Sequence, residues 1–222
     1  MSDLSQESLL REIDEDIRRE KFAKLWKQYG TYLIAAVVLL LAGVAGYKIW
    51  QEQAIARRGE AAEQFTAAVA LAGKDREAAE ERLRTIAKDG PSGYAMLAAF
   101  QQAALLAKSG DRQAARSAYQ DLQRSAGDPI YRDLAIVSEA MVALAGEALP
   151  IDADAIRDKL QPLTLDGNPW RFSARELTAV LAWGGGQTGE AKDRLNALAA
   201  DPQTPPDIRD RAQRLLAQIG HV

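Results

Sequence analysis

The chain contains no cysteine and only one histidine. The first absence excludes a disulfide scaffold, a thiolate metal site and a cysteine nucleophile. The second excludes a multi-histidine metal site. It also argues against a Ser-His-Asp triad, because His221 is the penultimate residue, where chains commonly fray. An excess of positive charge is missing too: 28 Lys and Arg stand against 31 Asp and Glu, for a net charge of -3. A phosphate backbone rewards clustered Lys and Arg, so nucleic acid is not an expected partner. No P-loop lysine motif occurs. No catalytic, cofactor-binding or metal-binding residues are therefore assigned, and no small-molecule substrate is expected. Alanine, by contrast, is abundant, at 42 of 222 residues. It is the best helix former, and its small side chain lets helices pack closely.

Charge disappears entirely between Gln28 and Tyr47. The centre of this run reads Tyr32-Leu33-Ile34-Ala35-Ala36-Val37-Val38-Leu39-Leu40-Leu41-Ala42-Gly43-Val44-Ala45. Twenty helical residues reach about 30 Å, the thickness of a bilayer's hydrocarbon core. Trp26, Tyr29 and Tyr32 rim one end, and Tyr47 and Trp50 rim the other. Amphipathic rings at both ends are what an interfacial aromatic belt requires. Residues 28–50 are therefore read as a transmembrane helix. Gly43-Val44-Ala45 loosely fits a signal-cleavage pattern. The apolar run is too long for a cleaved signal, however, and a charged segment precedes it, so an uncleaved signal anchor is expected.

Basic residues set the expected orientation. Arg18, Arg19, Lys21, Lys24 and Lys27 lie just before the run, whereas Lys48, Arg57 and Arg58 lie just after it. Five against three places the N-terminus in the cytoplasm and the bulk of the chain across the membrane, a compartment that is the periplasm if the cell is a Gram-negative bacterium. The cytoplasmic segment, residues 1–27, reads either as a short amphipathic helix or as a charged lead-in. Leu9 or Leu10, Ile13 and Ile17 recur at helical spacing, with Phe22, Leu25 and Trp26 continuing towards the membrane. Ala42 and Gly46 form a small-xxx-small pair of the kind that supports helix association.

Residues 51–222 show no sustained period-two alternation. Apolar positions recur instead at spacings of three and four, which predicts helices near 51–72, 75–88, 92–108, 111–125, 129–146, 152–162, 169–183, 187–200 and 205–219. Asp128-Pro129, Asn168-Pro169 and Thr204-Pro205 each place a capping side chain before a proline expected at the first helical position. Gly73, Gly110 and Gly184-Gly185-Gly186 punctuate the turns.

A repeat emerges when the second helices of each pair are aligned. The sets are Ala79, Leu83 and Ile86; Ala115, Tyr119 and Leu122; Ile156, Leu160 and Leu163; Ala191, Leu195 and Leu198. Each shares the offsets +4 and +7, one face of a helix. Their first members lie 36, 41 and 35 residues apart. That period fits tetratricopeptide-type units of about 34 residues with small insertions. Gly110, Ala115 and Tyr119 give the clearest copy, and Gly186, Ala191 and Leu195 repeat it. In such units the small residue lets two helices approach and the larger one fills the groove between neighbours. The expected fold is all-α: one transmembrane helix followed by a tetratricopeptide-like α-solenoid of helical hairpins. The last helix, with Ile208, Ala212, Leu215, Leu216 and Ile219, is expected to cap the stack.

Other patterns that imitate chemistry are better read as structure. Gly184-Gly185-Gly186-Gln187-Thr188-Gly189 has the G-x-G-x-x-G spacing of dinucleotide loops. That motif needs a strand before it, and the preceding Glu176–Trp183 stretch is helix-like. Asp152 with Asp154, and Glu80 with Glu81, are read as solvated helix ends rather than acid-base or calcium pairs. Trp170 and Trp183 are read as packing residues.

The architecture resembles the YfgM-like family of bacterial inner-membrane proteins. The lead Glu12-Ile13-Asp14-Glu15-Asp16-Ile17-Arg18-Arg19-Glu20-Lys21, followed by Leu25-Trp26-Lys27-Gln28-Tyr29-Gly30, is similar to that of its alphaproteobacterial branch. The resemblance implies an ancillary subunit of the SecYEG translocon. It further implies work beside the periplasmic chaperone PpiD on emerging or unfolded secretory polypeptides, with no catalytic residues and no cofactor. A scaffold for envelope assembly or cell division is the alternative that the residues leave open.

Overall fold

The computed structural model describes residues 3–146 and 152–220. Side chains are described from Trp26 onward, apart from Val37. The amphipathic face expected on Leu9 or Leu10, Ile13, Ile17, Phe22 and Leu25 lies outside them, and so does His221. Among the described residues the secondary structure is entirely helical.

Helix α1 (Asp3–Leu71) is continuous. The first proline in the sequence is Pro91, so nothing before it removes a backbone N–H or clashes with a preceding turn. The separate helix expected near 51–72 is therefore the final part of α1, with no break at residue 50. The helix ends at Leu71, whose carbonyl accepts from the amides of both Lys74 and Asp75 at 2.8 Å.

Two compact units divide the chain, Met1–Arg57 and Arg58–Val222. In the first, an 18-residue stretch of α1 beyond Trp26 has a mean hydropathy of 2.1 and none of it is buried. By length and composition this helix is sufficient to cross a membrane.

The second unit begins with the last turns of α1, where Ala61 and Ala68 are buried. It continues through α2 (Arg76–Asp89), α3 (Ser92–Lys108), α4 (Arg112–Ser125), α5 (Pro129–Leu144) and α6 (Ala153–Leu160). A 3-10 turn (Gln161–Thr164) leads to α7 (Arg171–Gly184), α8 (Thr188–Ala200) and α9 (Pro206–Gly220). Among the described residues four hairpins result, and the apolar core is divided among neighbours. Ala68 of α1 packs with Leu83 of α2 and Leu105 of α3. Tyr119 of α4 packs with Ala103 of α3 and Ala135 of α5. Leu160 of α6 packs with Val137 of α5 and Leu181 of α7. Leu195 of α8 packs with Ala179 of α7 and Ile208 of α9. Each cluster ties one hairpin to the next, as in a quasi-one-dimensional solenoid.

Three helix starts were expected to combine a capping side chain with proline, and only one does. Asp128 accepts from the Ile130 amide at 2.9 Å, with Pro129 at the first turn of α5. Asn168 does not cap α7, which starts three residues later at Arg171. Its carbonyl oxygen accepts from the Trp170 amide and its amide donates to Asp133, both at 2.8 Å. Thr204 fails as a cap because α9 begins at Pro206, the second of the two prolines, and the buried Thr204 hydroxyl has no partner among the described residues. The helix expected over 152–162 is also shorter, ending at Leu160. Pro162 has no N–H to donate, so the chain tightens into the 3-10 turn instead.

Candidate interaction surface

All twelve residues that share the +4 and +7 offsets are at most 6% exposed. Ala79, Ala115 and Ala191 sit at the first position of their sets, on α2, α4 and α8, and Leu83, Tyr119, Leu160 and Leu195 at the second. In the third set Leu163 comes from the 3-10 turn rather than from α6, yet it reaches the same cluster as Ile156 and Leu160. The residues expected at the membrane edges behave differently. Trp26, Tyr29, Tyr32, Tyr47 and Trp50 are 54 to 74% exposed. The rings of Tyr47 and Trp50 are 6.1 Å apart.

Among the described residues, Gly110 and Gly186 are the two glycines with positive φ, at +87° and +79°. They occupy equivalent places. The Gly110 amide donates to the Ala107 carbonyl and the Asp111 amide to Leu106, while Gly186 donates to Trp183 and Gln187 to Ala182. This paired pattern is the Schellman ending of a helix, which needs a left-handed residue that glycine supplies without strain. It also disposes of the dinucleotide imitation. The amides of Gly185, Gly186 and Gln187 are all spent on α7 carbonyls, and a helix rather than a strand leads into the loop, so it is an interhelix turn.

The carboxylate pairs flagged in the sequence are partly tied up. Asp154 pairs with Arg157 on its own helix, and Asp152 reaches across to Arg116 of α4. The Asp152 carboxyl is held below its usual range chiefly by that guanidinium bond. Glu80 and Glu81 pair with Arg76 and Arg84 along α2. Trp170 donates its indole N–H to the Ile130 carbonyl at 3.0 Å, joining the start of α7 to the start of α5. Trp183 packs against the cluster around Leu195.

Two buried carboxylates were not singled out from the sequence. Glu139 of α5 accepts four hydrogen bonds, two on each oxygen. Gln120 and Arg116 reach Oε1 at 2.6 and 3.3 Å, and Gln123 and Lys159 reach Oε2, both at 2.8 Å. Glu176 of α7 takes a two-pronged bond from Arg211 of α9, at 2.7 and 2.8 Å. Glu139 is a lone charge in an apolar stretch: Ala135-Ile136-Val137-Ser138-Glu139-Ala140-Met141-Val142-Ala143 contains no other. A charge in such a run, facing a helix with Arg116, Gln120 and Gln123 at helical spacing, was the available signal. Both carboxylates have partners on each oxygen, so their chemistry is that of joints between helices.

The surface offers clefts and scattered apolar side chains. One cleft of about 540 Å³ is lined by Gln113, Arg116, Ser117 and Gln120 of α4 with Val142 of α5. Another, of about 370 Å³, lies among Thr164, Arg175, Arg194 and Leu198. Leu97 of α3 and Met141 of α5 project from the first helices of their hairpins, 45 and 50% exposed.

Helical hairpins with neighbour-shared cores, glycine turns at equivalent places and a closing C-terminal helix define an α-solenoid of the tetratricopeptide type. The chain belongs to the tetratricopeptide repeat-like domain family, whose pattern matches residues 23–155. The match takes in the uncovered apolar stretch of α1 together with the first hairpins. No curated protein and no solved structure matches the chain. Membership of this family suggests a protein-interaction role.

Proposed function

We propose that the chain is a membrane-anchored protein-interaction subunit of the SecYEG translocon. In this reading it stands in the inner membrane with its N-terminus in the cytoplasm. The hairpins lie in the periplasm, where they assist a chaperone such as PpiD with emerging or newly translocated polypeptides. The observation that carries this reading is α1 itself, uncovered where it is apolar and buried at Ala61 and Ala68 where it becomes the first repeat helix. An uncovered apolar stretch of that length calls for lipid around it. Tethering a repeat surface beside a channel raises its effective concentration for emerging chains to the millimolar range. The resemblance of the charged lead and the single anchor to YfgM-like proteins supports the translocon as the neighbour. The saturated pairing of Glu139 and Glu176 supports a non-catalytic role.

Photo-crosslinking in native membranes tests it. With a photoreactive residue at Leu97 or Met141, the expected products are translocon subunits, a periplasmic chaperone and a range of secretory chains. A single stoichiometric envelope partner would instead identify a scaffold.

A further inference from the structure

Helix α6 is the shortest of the stack, eight residues from Ala153 to Leu160. Its counterparts α2, α4 and α8 run to 13 or 14 residues. Ile156 and Leu160 enter the core shared with α5 and α7. Two ion pairs complete the seat. Lys159 Nζ donates to Glu139 of α5. Asp152, at the N-cap position, makes no capping bond with its side chain and pairs with Arg116 of α4. Arg116 also reaches Glu139, so both ties close on one carboxylate that is 1% exposed.

Pairing buried charges adds little net stability, since desolvation cancels much of the attraction. Its effect is on specificity: when Glu139 loses its charge, Lys159 and Arg116 lose the shared partner that ties α6 to α5, and the part-buried amides of Gln120 and Gln123 lose a charged acceptor. The geometry points to an ionic clasp in which charged Glu139 holds α6 against α4 and α5. Neutral Glu139 releases α6 while the other hairpins stay folded. Release withdraws Ile156 and Leu160 and opens an apolar surface over Val137 and Leu177.

The charged groups facing Glu139 are Arg116 from α4 and Lys159 from α6, with Asp152 behind Arg116. Tyr119 of α4 is engaged with Ser138. From α7, Arg175 engages Thr164 and Asp166, and Glu176 engages Arg211. Helix α3 carries Tyr94 and Lys108 as its only ionisable side chains, and neither bonds Glu139. Burial by itself raises the Glu139 pKa, but bonds from Gln123, Lys159 and Gln120 outweigh it and hold the carboxyl below its ordinary range. A carboxylate depressed in the folded state stabilises fully above its unfolded pKa and loses that contribution as pH falls through the folded value. The clasp is therefore closed at neutral pH and opens in acid.

The absence of cysteine lets two spin labels be placed on the full chain in detergent. Met141→Cys with Asp158→Cys reports across α5 and α6, and Arg84→Cys with Ser117→Cys serves as a reference across α2 and α4. Electron–electron distance measurement on the native background should give one narrow distance for each pair at neutral pH. In the Glu139→Gln background at neutral pH, or in the native background on acidification below the ordinary carboxylate range, the first pair should lose its narrow distance while the reference keeps it. Lys159→Met, which cuts one tie and leaves Glu139 in place, should broaden only the first pair. A narrow 141–158 distance in both variants overturns the clasp. So does broadening of the reference alongside it, since that is unfolding of the whole stack.

Discussion

Glu139→Ala should lower the unfolding free energy of the hairpin unit by about 3 kcal/mol, the low end for breaking a buried ion pair. Two features place it there. Lys159 is 38% exposed and can turn its ammonium to water. Arg116 keeps Asp152 as a partner. The amides of Gln120 and Gln123 lose their acceptor and account for much of the cost. For a unit of this size the melting temperature should fall by roughly 6–12 °C. Replacing both members, Glu139→Leu with Lys159→Met, should recover most of the loss, because a buried pair exchanged for apolar side chains is often close to neutral. Thermal unfolding followed by circular dichroism measures both. A double variant no more stable than Glu139→Ala would show that the charges are not the cause.

Leu83→Ala should cost a similar amount, about 3 kcal/mol within the usual range of 2–5 for a buried leucine. Leu83 has no exposed surface and packs among Ala68, Ala79 and Leu105, so the lost methyl groups leave a cavity that three helices border. The consequence should be local, because a solenoid couples nearest neighbours. Hydrogen exchange should speed up in α2 and α3 well before it does in α8 and α9. Leu165→Ala, at a residue 67% exposed, should change stability by no more than about 0.5 kcal/mol. Uniform acceleration across the unit after Leu83→Ala would contradict the division of the core into neighbouring clusters.

The fold class was legible because helical period and alanine content act locally, and both are strong here. Gly110 and Gly186 were legible as turns for a related reason: the left-handed residue of a Schellman ending admits glycine with least strain. What was hidden depends on partners distant in sequence or on competition between neighbours. Asn168 reads as a cap until Asp133, 35 residues earlier, claims its amide. Thr204 reads as a cap until the second of two adjacent prolines sets the start of α9. The continuity of α1 past Trp50 was obscured by a change from apolar to charged composition, which marks a change of surroundings and not of backbone. Glu139 stood out only as a charge in an apolar run, and its partners became visible only with α4 and α6 in place. The surface that takes a partner is least legible of all, since exposed side chains such as Leu97 and Met141 carry no periodic signal.

Protease added to inverted inner-membrane vesicles, with the cytoplasmic face outward, is the most direct check on the anchored arrangement. Only residues 1–27 should be trimmed, leaving a fragment that retains the apolar helix and every hairpin until detergent opens the vesicles. Digestion of the hairpins in sealed vesicles would place the repeat domain on the cytoplasmic side and contradict the proposal.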